Sequence, residues 1–273
     1  MNAKTALITG ASSGIGETTA RLLQKEGFVV YAAARRVDAM QSLKADGVHV
    51  LPLDLTDETS IQSCVDAILA REGRIDVLIN NAGYGSHGAI EDVTIEEARR
   101  QFEVNIFGLA RLTQLVLPGM REHRFGKIVN VTSIGGKMSM PFGGWYHATK
   151  YALEGWSDAL RIETAPFGID VIIVEPGGIK TPWGSIAADH LRKASGAGAY
   201  AEAATKAADG MAKYYAGKQL SDPLVIAQTI ARAVTASKPQ TRYAAGYLAK
   251  TILLLRWLLS DRLFDRMIVS MAS

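Results

Sequence analysis

The amino-acid sequence predicts a single α/β domain with a doubly wound parallel β-sheet, whose two faces are both covered by helices. Short runs rich in apolar residues alternate with helical patterns along the first half of the chain, as parallel strands with crossover helices require. The runs are continuously apolar, which is typical of strands buried on both faces. A length of 273 residues suits one large domain. The predicted strands are Thr5–Thr9, Phe28–Ala33, Val48–Leu53, Ile75–Asn80, Lys127–Val131, Ile169–Glu175 and Arg242–Gly246.

Helical patterns connect these strands. Gly14–Glu26 follows the first strand and Ser60–Arg71 follows the third. The segment Thr94–Glu97 has the Thr-x-x-Glu pattern of a capping box and is expected to open a long helix. We expect that helix to end near Leu117, because Pro118 interrupts helical hydrogen bonding.

The second half of the chain has a different texture. Residues 183–222 are rich in Ala and Gly, which indicates a helical excursion that leaves the sheet. A helix from Pro223 to Ala236 follows. Residues 1–246 are therefore predicted to form the main domain, including this insertion, and residues 247–273 an apolar and basic helical tail.

Composition excludes several classes of protein. The single cysteine, Cys64, excludes an intrachain disulfide and a cysteine-built metal site, and the five histidines show no metal-ligand spacing. Residues 238–273 hold six basic and two acidic side chains against a net charge of +3 for the whole chain, so no broad basic face for nucleic acid is expected. The N-terminus lacks a signal-peptide layout, which favours a cytoplasmic protein. The apolar run Ile252–Leu259 is interrupted by Arg256 and is far shorter than a spanning helix needs.

A glycine-rich loop joins the first strand to the first helix. Glycines there permit a tight turn and a close approach of the backbone to a phosphate, while the helix N-terminus supplies free N–H groups. A plain turn is the alternative, but the position between strand and helix favours dinucleotide binding. The candidate binding residues are Gly10, Ser12, Ser13, Gly14, Ile15 and Gly16.

The end of the second strand indicates which dinucleotide binds. A carboxylate at this point would bind the ribose 2′-hydroxyl of NAD, but the sequence has Ala34 followed by Arg35 and Arg36. Guanidinium groups suit a 2′-phosphate, so NADP(H) is favoured over NAD(H), with Arg35 as the main contact and Arg36 as a second. A solvated strand end is the alternative interpretation of either arginine.

Two further strand ends carry candidate cofactor contacts. Asp54 and Leu55 follow the third strand, where a carboxylate can accept from the adenine amino group or can cap a turn. Asn80–Gly83 ends the fourth strand, and Asn81, Ala82 and Gly83 could let the backbone pass close to a ribose or could fix a turn.

The chemistry is indicated by Tyr146 and Lys150, with Ser133 thirteen residues upstream. Residues i and i+4 share one helix face, and an ammonium near a phenol favours the phenolate, so Lys150 is expected to lower the pKa of Tyr146. The spacing alone also occurs by chance in packing pairs.

Taken together, these motifs resemble the short-chain dehydrogenases/reductases in their single-domain branch, over about residues 4–245. The matching motifs, in family order, are Thr9–Gly16, Asp54, Asn80–Gly83, Asn105, Ser133, Tyr146, Lys150, and Pro176-Gly177 with Thr181. The resemblance implies a Rossmann-type fold, hydride transfer between NAD(P) and an alcohol or carbonyl, and a homo-oligomer, dimer or tetramer. It also implies a catalytic tetrad of Asn105, Ser133, Tyr146 and Lys150. Length and tail look most similar to bacterial ketoreductases near the 17β-hydroxysteroid and retinol dehydrogenases.

In this interpretation Ser133 and Tyr146 bind the carbonyl oxygen and Tyr146 transfers the proton. Lys150 binds the nicotinamide ribose, and Asn105 holds a water that links Lys150 to solvent. Pro176, Gly177, Ile179 and Thr181 lie near the nicotinamide. The expected substrate is a small apolar carbonyl compound or alcohol. The candidate wall residues are Ser86, Met138, Phe142, Trp183 and Met211.

Two alternatives stay open at this point. A non-catalytic NADP sensor or scaffold on the same fold would bind the dinucleotide without turnover. The tail could lie on a membrane surface through Leu253, Leu254, Trp257 and Leu258, or it could dock on its own domain or in an oligomer interface.

Overall fold

The computed structural model describes residues 3–272, which form a seven-stranded sheet in the order β3-β2-β1-β4-β5-β6-β7. Every neighbouring pair of strands is parallel. The strands are β1 Thr5–Thr9, β2 Val29–Ala34, β3 His49–Pro52, β4 Val77–Asn80, β5 Gly126–Val131, β6 Ile169–Pro176 and β7 Arg242–Ala245. The helices are α1 Gly14–Lys25, α2 Gln41–Ala45, α3 Glu58–Glu72, α4 Ile95–Phe102, α5 Gly108–Glu122, α6 Gly144–Thr164, α7 Trp183–Ser195, α8 Ala201–Ala216, α9 Pro223–Thr235, α10 Ala249–Leu258 and α11 Asp261–Ala272. The doubly wound parallel sheet is confirmed.

The strand order reverses between β1 and β4, and this reversal positions the site. On β1, Ile8 pairs with Ala32 of β2 on one side and with Ile79 of β4 on the other. The connections from these two strands leave in opposite directions, so their carboxyl ends open a crevice at the switch point. Ligands of open parallel sheets bind in such crevices.

Two apolar layers hold the helices against the sheet. One layer packs α1 and α9 against a face that includes Ile8, Val30 and Val174. The other packs α3, α5 and the end of α6 against Leu7 and Ile128. Because both faces are covered, the strand residues are apolar at consecutive positions, which is the pattern that predicted the sheet.

The local signals around α3 show why a helix forms there. Asp57 is the N-cap, and its Oδ1 accepts from Thr59 N at 2.9 Å. Gly73 follows the last turn with φ of 74°, the left-handed conformation that glycine adopts without steric cost. Cys64 is buried on the inner face of this helix.

The long helix predicted from Thr94 begins as expected but ends later. Thr94 Oγ1 accepts from Glu97 N at 3.2 Å, whereas the Glu97 carboxylate accepts from Tyr84 Oη at 2.9 Å and does not complete the capping box. The expected end near Leu117 is wrong, since α5 continues through Pro118 to Glu122. Pro118 is exposed, so its ring points to solvent and does not break the packing. A π-helical turn, Glu103–Phe107, separates α4 from α5.

Helices α7 and α8 form the excursion that the sequence predicts. They pack on each other through the small or medium side chains of Ala188, Leu191, Ala204 and Ala208. Alanines allow the two helices to approach closely, which explains the unusual composition of this segment.

The tail forms α10 and α11, which dock on the domain by one face only. Ile252, Phe264 and Ile268 pack with Met138 in a separate apolar cluster. The opposite face of α10 leaves Leu254 and Leu258 exposed, and Trp257 is 80% exposed. Within residues 3–272, no helix combines the length and apolar character needed to cross a membrane.

Candidate active site

The glycine loop between β1 and α1 is shaped so that side chains are excluded from it. Gly10 and Gly14 have φ of +67° and +60°, which favour glycine. A Cβ atom at Gly10 would lie 2.7 Å from Ala82 Cα, and one at Gly16 would lie 2.5 Å from Gly10 O. The loop therefore has no side chains at these positions and packs closely, so its backbone can approach a pyrophosphate.

Strand β4 holds this loop in place. The Asn81 side chain donates from Nδ2 to Thr9 O at 2.9 Å, and the Ala82 backbone N–H donates to Thr9 Oγ1 at 3.0 Å. The sequence left open whether Asn80–Gly83 lets the backbone approach a ribose or fixes a turn. In the structure the Asn81 side chain hydrogen-bonds to the backbone of the glycine loop. Asn80 lies deeper and donates to Asn130 Oδ1 at 2.9 Å.

The start of α1 and the end of β2 form the part of the crevice that suits phosphate. Ser13 is the N-cap of α1, and its side chain makes no capping hydrogen bond among the described residues. The first N–H groups of this helix are thus not used by a side-chain cap, and the helix dipole favours an anion there. Arg36 lies beside them and donates to Ser12 Oγ at 3.2 Å. Arg35 is also exposed at this edge.

The carboxylate after β3 has a structural partner. Asp54 Oδ1 accepts from Thr56 N at 2.9 Å and from Thr56 Oγ1 at 2.8 Å, so one oxygen caps a turn. Burial raises the pKa of Asp54, but these hydrogen bonds and the charge of Arg35 hold it below its ordinary value. Leu55 is buried and packs against Gly108 of α5.

Helix α6 brings the two central residues to the carboxyl edge of the sheet. Tyr146 and Lys150 share one helix face, with Lys150 Nζ 5.9 Å from the centre of the Tyr146 ring. Lys150 Nζ donates to Val131 O at the end of β5 at 3.0 Å. Ser133 lies just beyond that strand end, close enough to Tyr146 to lower the pKa of its hydroxyl. Ser133 Oγ also accepts from Gly135 N at 3.0 Å.

The pKa values of this pair differ from the expectation. Burial raises the pKa of Tyr146 to about 12, and the Ser133 side chain offsets only part of that rise. Burial also lowers the pKa of Lys150 to about 8, against the opposing effect of the Glu154 charge. The Tyr146 pKa therefore does not show the expected net depression, because removal of the hydroxyl from water outweighs the effect of Ser133.

Asn105 lies in the π-helical turn, which is a common location for functional residues. Its Nδ2 donates to Tyr84 O at 3.1 Å and to Thr149 Oγ1 at 3.0 Å, and its Oδ1 accepts from Tyr84 N at 3.2 Å. A Cβ atom at Gly83 would lie 3.1 Å from Asn105 Oδ1 and 3.9 Å from Lys150 Nζ. Gly83 therefore separates the amide oxygen of Asn105 from the ammonium.

Glu154 is a neighbour of the site that the sequence did not reveal. It is buried one turn beyond Lys150 and accepts from Thr132 Oγ1 at 2.7 Å. Its carboxylate also pairs with Lys137 at 3.0 Å and with Arg242 at 3.1 Å. These contacts hold the end of β5 against α6. The Glu154 carboxylate also places a negative charge near Lys150. The i, i+4, i+8 spacing from Tyr146 is the signal that could have identified it.

The segment after β6 approaches the glycine loop from the other side. A Cβ atom at Gly14 would lie 3.1 Å from Thr181 Cγ2, so Thr181 lies at the start of α1. Gly177 packs against the backbone of Tyr247, which brings the start of the tail beside Pro176. Ile179 is buried and bridges to Ser221.

The excursion formed by α7 and α8, which is expected to cover the substrate, places the aromatic ring of Trp183 next to Tyr146. The Trp183 ring lies 5.1 Å from the Tyr146 ring and 5.9 Å from that of Tyr215. Tyr215 was not expected here, and burial raises its pKa. Ser86 is buried in the loop after β4, and His87 beside it lies 5.8 Å from the Tyr146 ring.

The other candidate wall residues lie elsewhere. Met138 packs under the tail helices, and Phe142 and Met211 pack against the α7–α8 cluster. His147, next to Tyr146, has both nitrogens engaged: Met140 N donates to Nε2 at 3.1 Å, and Nδ1 lies 3.0 Å from Gly135 O.

Comparisons with known proteins are in line with this geometry. A family model described as short chain dehydrogenase matches residues 4–190. A 3-ketodihydrosphingosine reductase of Bacteroides thetaiotaomicron is 46% identical over 175 residues, which span 64% of this chain and 64% of the relative's length. The probable short-chain type dehydrogenase/reductase VdlC of Helicobacter pylori is 36% identical over 262 residues, or 95% of this chain and 94% of that protein.

Solved structures give the same picture. A short-chain dehydrogenase from Streptomyces avermitilis superposes with a TM-score of 0.80 at 38% identity, covering 93% of this chain and 92% of that one. An actinorhodin polyketide ketoreductase with NADPH superposes with a TM-score of 0.72 at 33% identity, covering 85% and 90% of the two chains.

Proposed function

The chain belongs to the short-chain dehydrogenase family of oxidoreductases, and from this premise we propose that it is an NADPH-dependent reductase of ketones or aldehydes. One observation carries the proposal. The Tyr146 hydroxyl lies close to Ser133, with Lys150 on the same helix face, at the strand ends that also present the glycine loop. A proton donor and a carbonyl-binding hydroxyl thus lie beside a site suited to a hydride carrier.

The cofactor site fits a dinucleotide phosphate, because glycines line it and the start of α1 is not capped by a side chain. When bound, NADPH supplies the hydride. Arg35 and Arg36 would hold its 2′-phosphate, and the backbone from Ser12 to Gly16 its pyrophosphate. Solved relatives carry NADPH or NADP in several cases and NADH in another, so the preference for NADP(H) rests mainly on the two arginines.

Tyr146 and Ser133 would act on the substrate oxygen. Both hydroxyls donate hydrogen bonds to it and stabilise the negative charge that develops during reduction. Gly135 N donates to the Ser133 oxygen, and the Ser133 hydrogen would turn from Tyr146 to the substrate oxygen when a carbonyl binds. The raised pKa keeps Tyr146 protonated at neutral pH, as an acid must be. Proton transfer by such a group contributes roughly 10²–10⁴-fold in rate.

Lys150 and Asn105 support this step. Lys150 holds a positive charge near Tyr146, which assists loss of the Tyr146 proton, and it has hydrogens left for a ribose hydroxyl beyond its bond to Val131 O. Asn105 holds Tyr84 and Thr149, and its Oδ1 keeps a lone pair for a water on the path from Lys150 to solvent.

The substrate is proposed to be an apolar carbonyl compound. Trp183 and Tyr215 close over Tyr146 and present aromatic surface to the reacting group. Relatives named as a 3-ketodihydrosphingosine reductase and a polyketide ketoreductase also point to ketone reduction.

Two surfaces support further proposals about partners. Phe107, Tyr151 and Ile162 leave apolar area exposed on α6 and on the turn before α5, with Ile162 70% exposed. We assign this area to a homo-oligomer interface, a dimer or tetramer, which light scattering would measure. The exposed face of α10 at Leu254 and Trp257 suits the surface of a membrane.

The test is a turnover screen of ketones, aldehydes and secondary alcohols with NADPH and with NADH. We expect reduction of apolar ketones and a higher kcat/KM for NADPH than for NADH. NADPH binding without turnover of any compound would reject the reductase and favour the alternative, a non-catalytic sensor or scaffold.

A further inference from the structure

His87 is a buried polar side chain at the site that no part of the catalytic scheme uses. It is 5% exposed and lies in the loop after β4. Its ring centre lies 5.8 Å from that of Tyr146 and 5.4 Å from that of Trp183. It therefore borders the space in which the carbonyl must bind.

The His87 ring has a polar atom without a partner. Nδ1 is buried and makes no hydrogen bond within the described part of the chain. Gly85 lies beside this edge of the ring, since a Cβ atom built there would be 3.2 Å from Nδ1. A contact with the Gly85 backbone raises the pKa of His87 as a hydrogen bond would, although its geometry falls short of a hydrogen bond at Nδ1. Buried polar atoms are rarely left unpaired, because each one costs free energy.

His147 provides the contrast. It is equally close to Tyr146, with ring centres 5.5 Å apart, but both of its nitrogens are engaged by backbone groups. A histidine that serves packing alone has its hydrogen bonds completed in this way. His87 does not, and it faces the reacting tyrosine.

We propose that His87 is a substrate-recognition residue whose imidazole binds a hydroxyl group that the substrate carries close to the reacting carbonyl. This inference rests on the proposed function and narrows its substrate class from ketones to hydroxyketones. Each hydrogen bond spans about 3 Å. When Tyr146 binds the carbonyl oxygen and His87 binds the hydroxyl of the same substrate, we expect the hydroxyl to lie within about three covalent bonds of the carbonyl.

The charge state of His87 selects the kind of group. Burial, with smaller contributions from the positive charges of His147 and His190, lowers the pKa of His87 to about 4. The neutral ring offers one donor and one acceptor, and which nitrogen carries the hydrogen depends on the tautomer. A hydroxyl group both donates and accepts, so it pairs with either tautomer, whereas a carboxylate would need the charged ring that burial disfavours.

The experiment compares two probes that differ only at this position. The first is 1-hydroxy-2-octanone, and the second is 3-nonanone, which has a methyl group in place of the hydroxyl. Both are assayed for kcat/KM with NADPH and for binding by calorimetry with NADP⁺, which cannot reduce them. The variants are His87→Phe, His87→Asn and, as a matched control, His190→Phe, whose ring packs on Tyr84 instead.

The expected result is a change in the preference between probes. Leaving a buried group unpaired weakens recognition by about tenfold or more, so the wild type favours the hydroxyketone and His87→Phe loses that preference by this factor. The kcat/KM for 3-nonanone stays within about threefold. His87→Asn, which can still hydrogen-bond, and His190→Phe keep most of the preference. If His87 had only a structural role, its replacement would change kcat/KM for both probes by the same factor.

The outcomes separate the two proposals. Equal preference in the wild type and in His87→Phe overturns the role of His87. Equal binding of both probes by the wild type would also overturn the role of His87, even if His87→Phe fails to fold. A binding preference that depends on His87, without turnover of any ketone, would keep the recognition site and reject the reductase.

Discussion

Replacement of the arginines after β2 gives the clearest test of cofactor choice. Arg35 and Arg36 both lie exposed at the edge of the crevice, and Arg36 reaches Ser12 of the glycine loop at 3.2 Å. A hydrogen bond to a charged group contributes about 1.5–3 kcal/mol. Because both arginines are exposed to solvent and salt, we expect the hydrogen bond from each guanidinium to the 2′-phosphate to contribute at the low end of that range. Loss of one guanidinium should therefore weaken NADPH binding about tenfold, and loss of both about 100-fold.

The assay is the equilibrium Kd of NADPH and of NADH for Arg35→Ala, Arg36→Ala and the double variant. NADH lacks the 2′-phosphate, so its Kd should stay within about twofold. Added salt should weaken NADPH binding in the wild type and have little effect in the double variant. Arg232→Ala, at an exposed arginine of α9, is the control. A parallel loss of both cofactors, or no loss of NADPH, would refute the assignment of these residues to the 2′-phosphate.

Three further predictions follow from the structure. Gly16→Ala places a methyl group against Gly10 O, so it should lower the free energy of unfolding by about 1–3 kcal/mol through overpacking and weaken the binding of both cofactors. Gly155→Ala, with open space around it, should raise the free energy of unfolding by about 1 kcal/mol. Equal effects of the two variants in denaturant titrations would contradict this. Reductive kcat/KM should be highest while Lys150 is protonated and fall as pH rises through about 8, with Tyr146 still protonated. Lys150→Met should remove that limb, and a flat wild-type profile would count against it. Full-length protein should float with anionic vesicles and protein lacking residues 247–273 should not; failure of the full-length protein to float removes the membrane-surface assignment.

Much of the fold followed from the sequence because its signals are local. The apolar runs that predicted β1 to β7 match the observed strands to within two residues at either end, since burial on both faces imposes continuous apolar character. The exception was Pro118, where a rule about helix interiors failed at an exposed position near the end of α5. Water there can donate to the exposed Gln114 carbonyl, which lacks a helical donor because Pro118 has no N–H.

The site was predictable where chemistry depends on spacing along the chain. Tyr146 and Lys150 are four residues apart on one helix, so their proximity could be inferred. Tyr215 and His87 come from segments far apart in sequence, and only the fold brings them to Tyr146. The direction of the Tyr146 pKa shift also escaped prediction, because it depends on how completely the helix face is buried.

The central claim is that Tyr146 donates the proton, and Tyr146→Phe tests it most directly. The change removes one hydroxyl and keeps the ring that packs on Trp183 and His87. The measurement pairs the Kd of NADPH with the single-turnover rate of hydride transfer to the best ketone. We predict a Kd within about threefold of the wild type and a rate lower by about 10²-fold or more. A rate within about tenfold of the wild type, at unchanged NADPH affinity, would contradict the assignment.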